Sequence, residues 1–143
     1  MPQARPTGAL RPMCLNDPDI VAQVTRCADA YEEALARNDL SALDALFWNG
    51  PEVVRYGVGE NLYGAQAIAA FRRARPGGSP PRDVLRRHIV CVDETMAVVS
   101  LEFRRLGGTA TGRQMQTWVR GEAGWRILAA HVSIMADRPE TAP

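Results

Sequence analysis

The chain has 143 residues and a formal charge of +1 at pH 7, with acidic residues spread along its length. This length suits one domain with a single core, and the near-neutral charge lacks the long-range field expected of a nucleic-acid or membrane binder. We therefore expect a small-molecule or protein partner.

The rare residue types exclude several kinds of chemistry. All seventeen basic residues are arginine, which excludes Schiff-base chemistry on a lysine and a P-loop lysine. The three cysteines and two histidines lack the spacing of a metal site, so we expect no metal. The N-terminus has no apolar stretch that could serve as a signal sequence, which predicts a reduced, cytoplasmic protein without a membrane span.

Composition also predicts the domain boundaries. Residues 1–16 carry three prolines and little periodic apolar pattern, which predicts a flexible N-terminal arm. We expect a single domain over residues 17–136 and a proline-containing C-terminal tail over residues 137–143.

The first half of the domain has the pattern of helices and short strands. Asp17 and Pro18 supply an N-cap and a first helical residue, and apolar residues at helical spacing predict a helix that ends near Asn38. Asp39 or Ser41 caps a second, short helix. The remaining predicted elements are a strand over Val53–Tyr56, a strand over Asn61–Tyr63 and a helix over Ala65–Arg75.

Four longer runs rich in strand-forming residues fill the second half, with turn-forming residues between them. They span Val84–Val92, Met96–Leu106, Thr111–Arg120 and Trp125–Met135. Helices first and then an antiparallel meander predict an α+β fold, in which a curved antiparallel sheet wraps over the N-terminal helices. Such a sheet leaves a cavity at its open end.

The pairing of the second and third long strands determines which side chains face this cavity. A turn at Gly107-Gly108 predicts one polar face and one apolar face. The polar face is predicted to carry Val98, Ser100, Glu102, Gln114, Gln116 and Trp118. The apolar face is predicted to carry Val99, Leu101, Phe103, Met115 and Thr117. We expect the apolar face to be available for a homodimer.

The last hairpin decides the face on which His131 lies. We expect a three-residue loop with a bulge at Gly124, which places His131 and Ser133 on the apolar face. The polar face then gains Leu128, Ala130 and Val132. A two-residue loop would reverse this assignment.

Two motifs carry a family resemblance. The first is Arg55-x-Gly57 with the run Glu60–Gly64, and the second is Gly112–Gln114 with the run Gln116–Arg120. They resemble the AtzH/HpxZ-like family of the nuclear transport factor 2-like (SnoaL-like) superfamily, over a stretch from about residue 16 to residue 135. Gly124-Trp125-Arg126-Ile127 with His131-x-Ser133 resembles the closing strand of the superfamily. Met115 departs from the family pattern, in which we expect a small polar residue at this position.

This resemblance implies a cone-shaped fold and a role in nitrogen catabolism. The family's small proteins are encoded beside amidases of cyanuric-acid, oxalurate and related catabolism. The implied activity is an amidohydrolase that converts 1,3-dicarboxyurea to allophanate. The family's essential tyrosine and arginine match Tyr31 and Arg55.

The chemistry of these residue types fits a small, doubly negative substrate. The Arg55 guanidinium would bind a carboxylate bidentately and stay charged when partly buried. Tyr31 would donate a hydrogen bond to the urea carbonyl, act as acid or base, or position a water. The other predicted substrate-binding residues are Trp118, Gln116, Gln114 and Glu102. Trp118 would exclude solvent, and the two glutamines would contact the N–H and C=O groups of the urea. Glu102 would orient Arg55 or serve as a base.

Each of these residues also has a purely structural interpretation. Tyr31 lies on the apolar stripe of its helix and suits a core position. Arg55 could point into solvent, and Trp118 could be a core or interface aromatic. The two glutamines could lie on a wet sheet face, and His131 suits a structural or interface role better than that of a base.

The leading hypothesis is a cytoplasmic, cofactor-free enzyme that cleaves a C–N bond in a carboxylated urea or a related amide. A first alternative is a non-catalytic module that binds a metabolite or supports a neighbouring amidase, and a second is a lyase or isomerase. The expected partners are a small anionic substrate, a second copy of the chain and, functionally, an amidase.

Overall fold

The computed structural model describes residue 8 and residues 10–136, and this part of the chain contains three helices and six strands. The helices are α1 (Pro18–Arg37), α2 (Leu40–Leu46) and α3 (Ala65–Ala74). The strands are β1 (Val54–Tyr56), β2 (Asn61–Tyr63), β3 (Arg82–Val92), β4 (Met96–Arg105), β5 (Gly112–Gly121) and β6 (Gly124–Ile134). Every predicted helix and strand is present, and the predicted tail over residues 137–143 lies outside the described residues.

Local signals set the bounds of the first two helices. Asp17 Oδ1 accepts a hydrogen bond from the Asp19 N–H at 2.9 Å, and Asn38 ends α1 in the left-handed conformation at φ 50°. Asp39 Oδ1 accepts from the Ala42 N–H at 3.1 Å, so Asp39 is the cap of α2. Among the described helices, none has both the length and the apolar character needed to cross a bilayer.

The six strands form one sheet in the order β2-β1-β6-β5-β4-β3. All neighbouring pairs are antiparallel except β1 and β6, which run parallel. The predicted curved antiparallel sheet is therefore present, except that this one pair runs parallel and makes the sheet mixed. No hairpin turn joins β1 to β6, so no local feature of the sequence fixes their relative direction.

The end of the predicted N-terminal arm is held against the sheet. Asn16 donates its N–H to the Cys91 carbonyl at 3.0 Å, and Asn16 Oδ1 accepts from the Cys91 N–H at 2.9 Å. Cys14 and Asp93 exchange a similar pair of hydrogen bonds. The hydrogen-bonded chain therefore begins before the predicted boundary at residue 17, while residues 1–7 and 9 lie outside the described residues.

The hairpin of β4 and β5 has a different register from the one predicted. Phe103 pairs with Gly112, which centres the hairpin between Gly107 and Gly108, whereas the predicted pairing centred it on Gly108. A slip of one residue moves every side chain of one strand to the other face. The inner face, which the helices cover, consequently carries Val99, Leu101, Phe103, Gln114, Gln116 and Trp118. Glu102 and Ser100 lie on the outer face, where Glu102 is exposed.

The last hairpin reaches the predicted faces by a different route. Gly121 pairs with Gly124, so the loop has two residues, and the bulge lies further along the strands, where Thr117 pairs with Ala129 but Trp118 pairs with Ile127. Leu128 falls in this bulge and is not on the inner row, which corrects its predicted placement. Beyond the bulge the prediction is confirmed: Ala130 and Val132 are buried opposite the two glutamines, and His131 lies outward opposite Met115.

The core lies between the helices and the inner face of the sheet. Its buried members include Ile20, Val24, Ala28, Phe47, Ile68, Val99, Trp118 and Ile127. The apolar row of β4 is part of this core and is not available for a dimer, contrary to the predicted face assignment. Met115 remains exposed on the outer face, in a shallow depression of about 470 Å³ that also contains Glu102, His88 and His131. A homodimer through this outer face stays a prediction.

A close contact at the edge of the core explains why position 112 is a glycine. The Phe103 ring lies in the space that a Cβ at residue 112 would occupy. The guanidinium of Arg82 stacks on the same ring, 4.5 Å from its centroid. Gly112 therefore lets the Phe103 ring pack directly against the β5 backbone, where the Arg82 guanidinium stacks on it.

We predict that Gly112→Ala lowers the free energy of unfolding by about 1–3 kcal/mol, because the added methyl group displaces the buried Phe103 ring. The matched control is Gly59→Ala, where nothing lies within 4 Å of the added atom. It should change the free energy by less than about 0.5 kcal/mol in the same denaturant titration. Equal losses in both variants would contradict the role of the contact.

Candidate functional site

A cavity of about 410 Å³ opens between the helices and the inner face of the sheet. Four arginines and one glutamate line its wall within the described residues: Arg55, Arg75, Arg82, Arg105 and Glu60. Polar and apolar residues complete the lining: Tyr31, Gln114, Leu35, Val58, Phe71, Gly78, Ser79, Pro80, Phe103 and Val132. The wall is thus strongly cationic although the whole chain is nearly neutral.

Tyr31 belongs to both the core and the cavity. The residue is 2% exposed on the apolar side of α1, and its ring lies 6.2 Å from the ring of Phe47. Its hydroxyl reaches the cavity wall, where Tyr31 Oη accepts a hydrogen bond from Gln114 Nε2 at 3.2 Å. The two interpretations of Tyr31 from the sequence are therefore compatible.

A chain of hydrogen bonds fixes the orientation of Gln114. Arg82 Nη2 donates to Gln114 Oε1 at 2.7 Å, and the same guanidinium donates through Nε and Nη2 to the Glu32 carboxylate. Because the amide oxygen of Gln114 is occupied by Arg82, the amide nitrogen is the atom that faces Tyr31. The Tyr31 oxygen accepts this bond and keeps its own proton for a different partner.

Arg55 lies on β1 with its guanidinium in the cavity wall and a side chain that is 12% exposed. Its Nη1 donates to Glu60 Oε1 at 2.9 Å. A Cβ at residue 57 would overlap the Glu60 carboxylate, so the glycine of the Arg55-x-Gly57 motif makes room for this ion pair. Arg55 Nε is buried and has no hydrogen-bond partner in the described part of the chain.

Two arginines of the region around α3 lie close to Arg55. Arg75 stacks on the Phe71 ring at 4.6 Å, and Arg72 stacks on the Phe47 ring at 4.4 Å. Burial lowers the pKa of both guanidinium groups from the usual arginine value, and the neighbouring charge of Arg55 lowers it further. The electrostatic environment of these groups therefore favours a bound anion.

Gln116 and Trp118 lie deeper on the same inner face and do not line the cavity. Trp118 is fully buried, and its Nε1 donates to Gln116 Oε1 at 3.0 Å. Gln116 shares a row of the sheet with Arg55, since both pair with the small residue Ala130. The predicted solvent-excluding wall at Trp118 is thus a core contact beneath the site.

Three of the six predicted site residues meet at the cavity: Tyr31, Arg55 and Gln114. Glu102 does not, because the one-residue change in register places it on the outer face of the sheet. The predicted use of Glu102 to orient Arg55 is therefore wrong, and Glu60 makes that contact instead.

Sequence reasoning missed most of the charged wall. The missed residues are Glu32, Glu60, Arg72, Arg75, Arg82 and Arg105. Glu60 belongs to the first motif, and the arginines at the end of α3 form a visible cluster in the sequence. Neither pattern indicates that these side chains face the cavity. In the residues that the structure describes, no three potential ligands come together as a metal site.

Comparison with known proteins connects this geometry to a family. The AtzH-like family model matches residues 13–138. A solved protein of unknown function from Pectobacterium atrosepticum is 51% identical, with 85% of this chain and 95% of that chain covered and a TM-score of 0.83. A cystatin-like fold protein from Burkholderia xenovorans is 44% identical, with coverages of 89% and 100% and a TM-score of 0.83.

More distant structures carry information about the fold. A nuclear transport factor 2-like superfamily protein from Salmonella enterica serovar Typhimurium is 23% identical, with coverages of 85% and 95% and a TM-score of 0.70. A comparison with curated proteins gave no match. The predicted cone-shaped, nuclear transport factor 2-like α+β fold is confirmed, and the chain belongs to the AtzH-like family.

Proposed function

We propose that this protein is an amidohydrolase that cleaves a C–N bond in a small carboxylated urea, as in the conversion of 1,3-dicarboxyurea to allophanate. One observation carries the proposal: the Tyr31 hydroxyl and the Arg55 guanidinium open onto the same arginine-lined cavity. The volume of about 410 Å³ lies in the range of small-molecule sites.

The charge of the cavity favours a doubly negative ligand. Four arginines against one glutamate give the wall a formal charge of +3. A guanidinium matches a carboxylate with two parallel hydrogen bonds, and a partly buried site strengthens that attraction. A dicarboxylated urea carries one carboxylate at each end, so it neutralises much of this charge.

Tyr31 is suited to supply the proton that the reaction needs. The bond between a urea nitrogen and one terminal carboxyl carbon breaks, and its electron pair stays on the nitrogen. Water adds to that carbon, which leaves as bicarbonate, and the nitrogen takes a proton from Tyr31 that the proton lost by the water then restores. Tyr31 Oη accepts its hydrogen bond from Gln114, so its own O–H is free to donate to that nitrogen.

We predict that Tyr31→Phe lowers kcat by about 10²–10⁴-fold, because the substitution removes the proton donor and keeps the shape of the ring. The measurement is the initial rate of allophanate formation from freshly generated 1,3-dicarboxyurea, corrected for spontaneous decay. Tyr63→Phe is the control, since Tyr63 is 64% exposed and its hydroxyl bonds only the Tyr56 hydroxyl among the described residues.

Two outcomes would contradict parts of this proposal. Equal turnover by wild-type protein and Tyr31→Phe would exclude the hydroxyl as the proton donor. Binding of carboxylated ureas by wild-type protein without turnover would favour the alternative, a non-catalytic module that holds a metabolite or supports an amidase.

We predict that Arg82→Met lowers both kcat and stability. The substitution leaves the Glu32 carboxylate and Gln114 Oε1 without their donor, at a cost of about 1–3 kcal/mol in the free energy of unfolding. The freed Gln114 amide can then turn, so Tyr31 loses its fixed hydrogen-bond partner. Arg86→Met, at an exposed position of the same strand, should leave both quantities unchanged. Unchanged kcat in Arg82→Met would contradict the orienting role of Arg82.

A further inference from the structure

The cavity continues inward as a narrow recess beside α3. The recess has a volume of about 20 Å³, which is room for about one water-sized group. Tyr31, Arg55 and Arg75 line both the recess and the main cavity. Arg72 lines the recess and a separate pocket beside Asp44 and Phe47, but not the main cavity. A ligand in the cavity could therefore extend one small group toward Arg72.

Several buried N–H groups around this recess have no acceptor. Arg72 Nη1, Arg72 Nη2 and Arg55 Nε are buried without a hydrogen-bond partner in the described residues. The nearest carboxylate oxygen, Asp44 Oδ1, is 3.7 Å from Arg72 Nη1, which is too long for a hydrogen bond. Arg72 is 90% buried, with a side-chain exposure of 10%. Buried charged donors without acceptors are costly, so this arrangement calls for an anion.

The carboxylates nearby are already engaged elsewhere. Glu60 Oε1 lies 2.9 Å from Arg55 Nη1 and 3.9 Å from Arg75 Nη2. Asp44 Oδ2 lies 2.8 Å from Arg73 Nη2. The charge around the recess therefore remains positive, and the unpaired donors belong to two of the arginines that line it.

We propose that the recess is an anion subsite in which Arg72 and the Nε–H of Arg55 bind one carboxylate oxygen of a doubly charged substrate. This inference rests on the proposed function, because it specifies that the same cavity selects a substrate with two negative charges. It assigns Arg72 to ligand binding, in contrast to a structural role as a clamp between Asp44 and the Phe47 ring.

The test is a calorimetric titration with glutarate, which has the same three-atom spacing between carboxylates as 1,3-dicarboxyurea but no cleavable C–N bond. Its monoanionic amide, glutaramate, is the reference ligand. Wild-type protein should bind glutarate at least about tenfold more tightly than glutaramate, because a charged hydrogen-bonded contact is lost with the second carboxylate. Arg72→Met should abolish this preference.

Arg73→Met is the matched control, since Arg73 lies beside Arg72 in the last turn of α3 and pairs with the same Asp44. Its side chain is 57% exposed. It should keep the preference for glutarate. The melting temperature separates ligand binding from a structural role: Arg72→Met should melt at or above the wild-type temperature, because it removes buried donors without acceptors. Arg72→Gln serves as a second variant with a polar side chain.

The outcomes distinguish this inference from the proposed function. The subsite is overturned if both Arg72 variants keep the preference for glutarate over glutaramate. It is also overturned if an Arg72 variant melts at a lower temperature than wild-type protein and keeps that preference. Neither result bears on the proposal that the protein turns over dicarboxyurea. The absence of any preference in wild-type protein also overturns the subsite. Loss of turnover is judged separately, since glutarate binding requires no chemistry.

Discussion

The hydrogen-bond chain from Glu32 through Arg82 and Gln114 to Tyr31 is the interaction on which the site depends. It crosses from α1 to the sheet and back, so it fixes one wall of the cavity to the opposite wall. Each member is buried or half-buried, and each would be costly without its neighbour. These hydrogen bonds therefore keep polar groups on an inner sheet face that is otherwise apolar core.

Sequence reasoning recovered the elements because their signals are local. Asp17, Pro18 and Asn38 specify the ends of α1 through contacts within a few residues, and the alternation of apolar residues marks each long strand. The faces of β4 were assigned wrongly because they depend on one residue in the loop around Gly107 and Gly108. The parallel pairing of β1 with β6 depends on the whole intervening chain, which no local pattern encodes.

The site was recovered less completely for the same physical reason. Tyr31 and Arg55 came from a family resemblance, and the motif that contains Arg55 also contains Gly57, the glycine that makes room for Glu60. Arg72, Arg75 and Arg82 could not be selected among seventeen arginines, because only tertiary packing against Phe47, Phe71 and Phe103 places them at the recess or the cavity. Aromatic rings thus position the cations, and burial makes them receptive to an anion.

The central claim is that this cavity accelerates loss of a carboxyl group from a carboxylated urea. The most direct measurement follows 1,3-dicarboxyurea labelled with ¹³C at both carboxyl carbons by time-resolved NMR, with wild-type protein and without protein. The account predicts that labelled allophanate and bicarbonate appear together, faster than in the protein-free sample, and that glutarate slows this conversion by competition. Identical time courses with and without protein would contradict it.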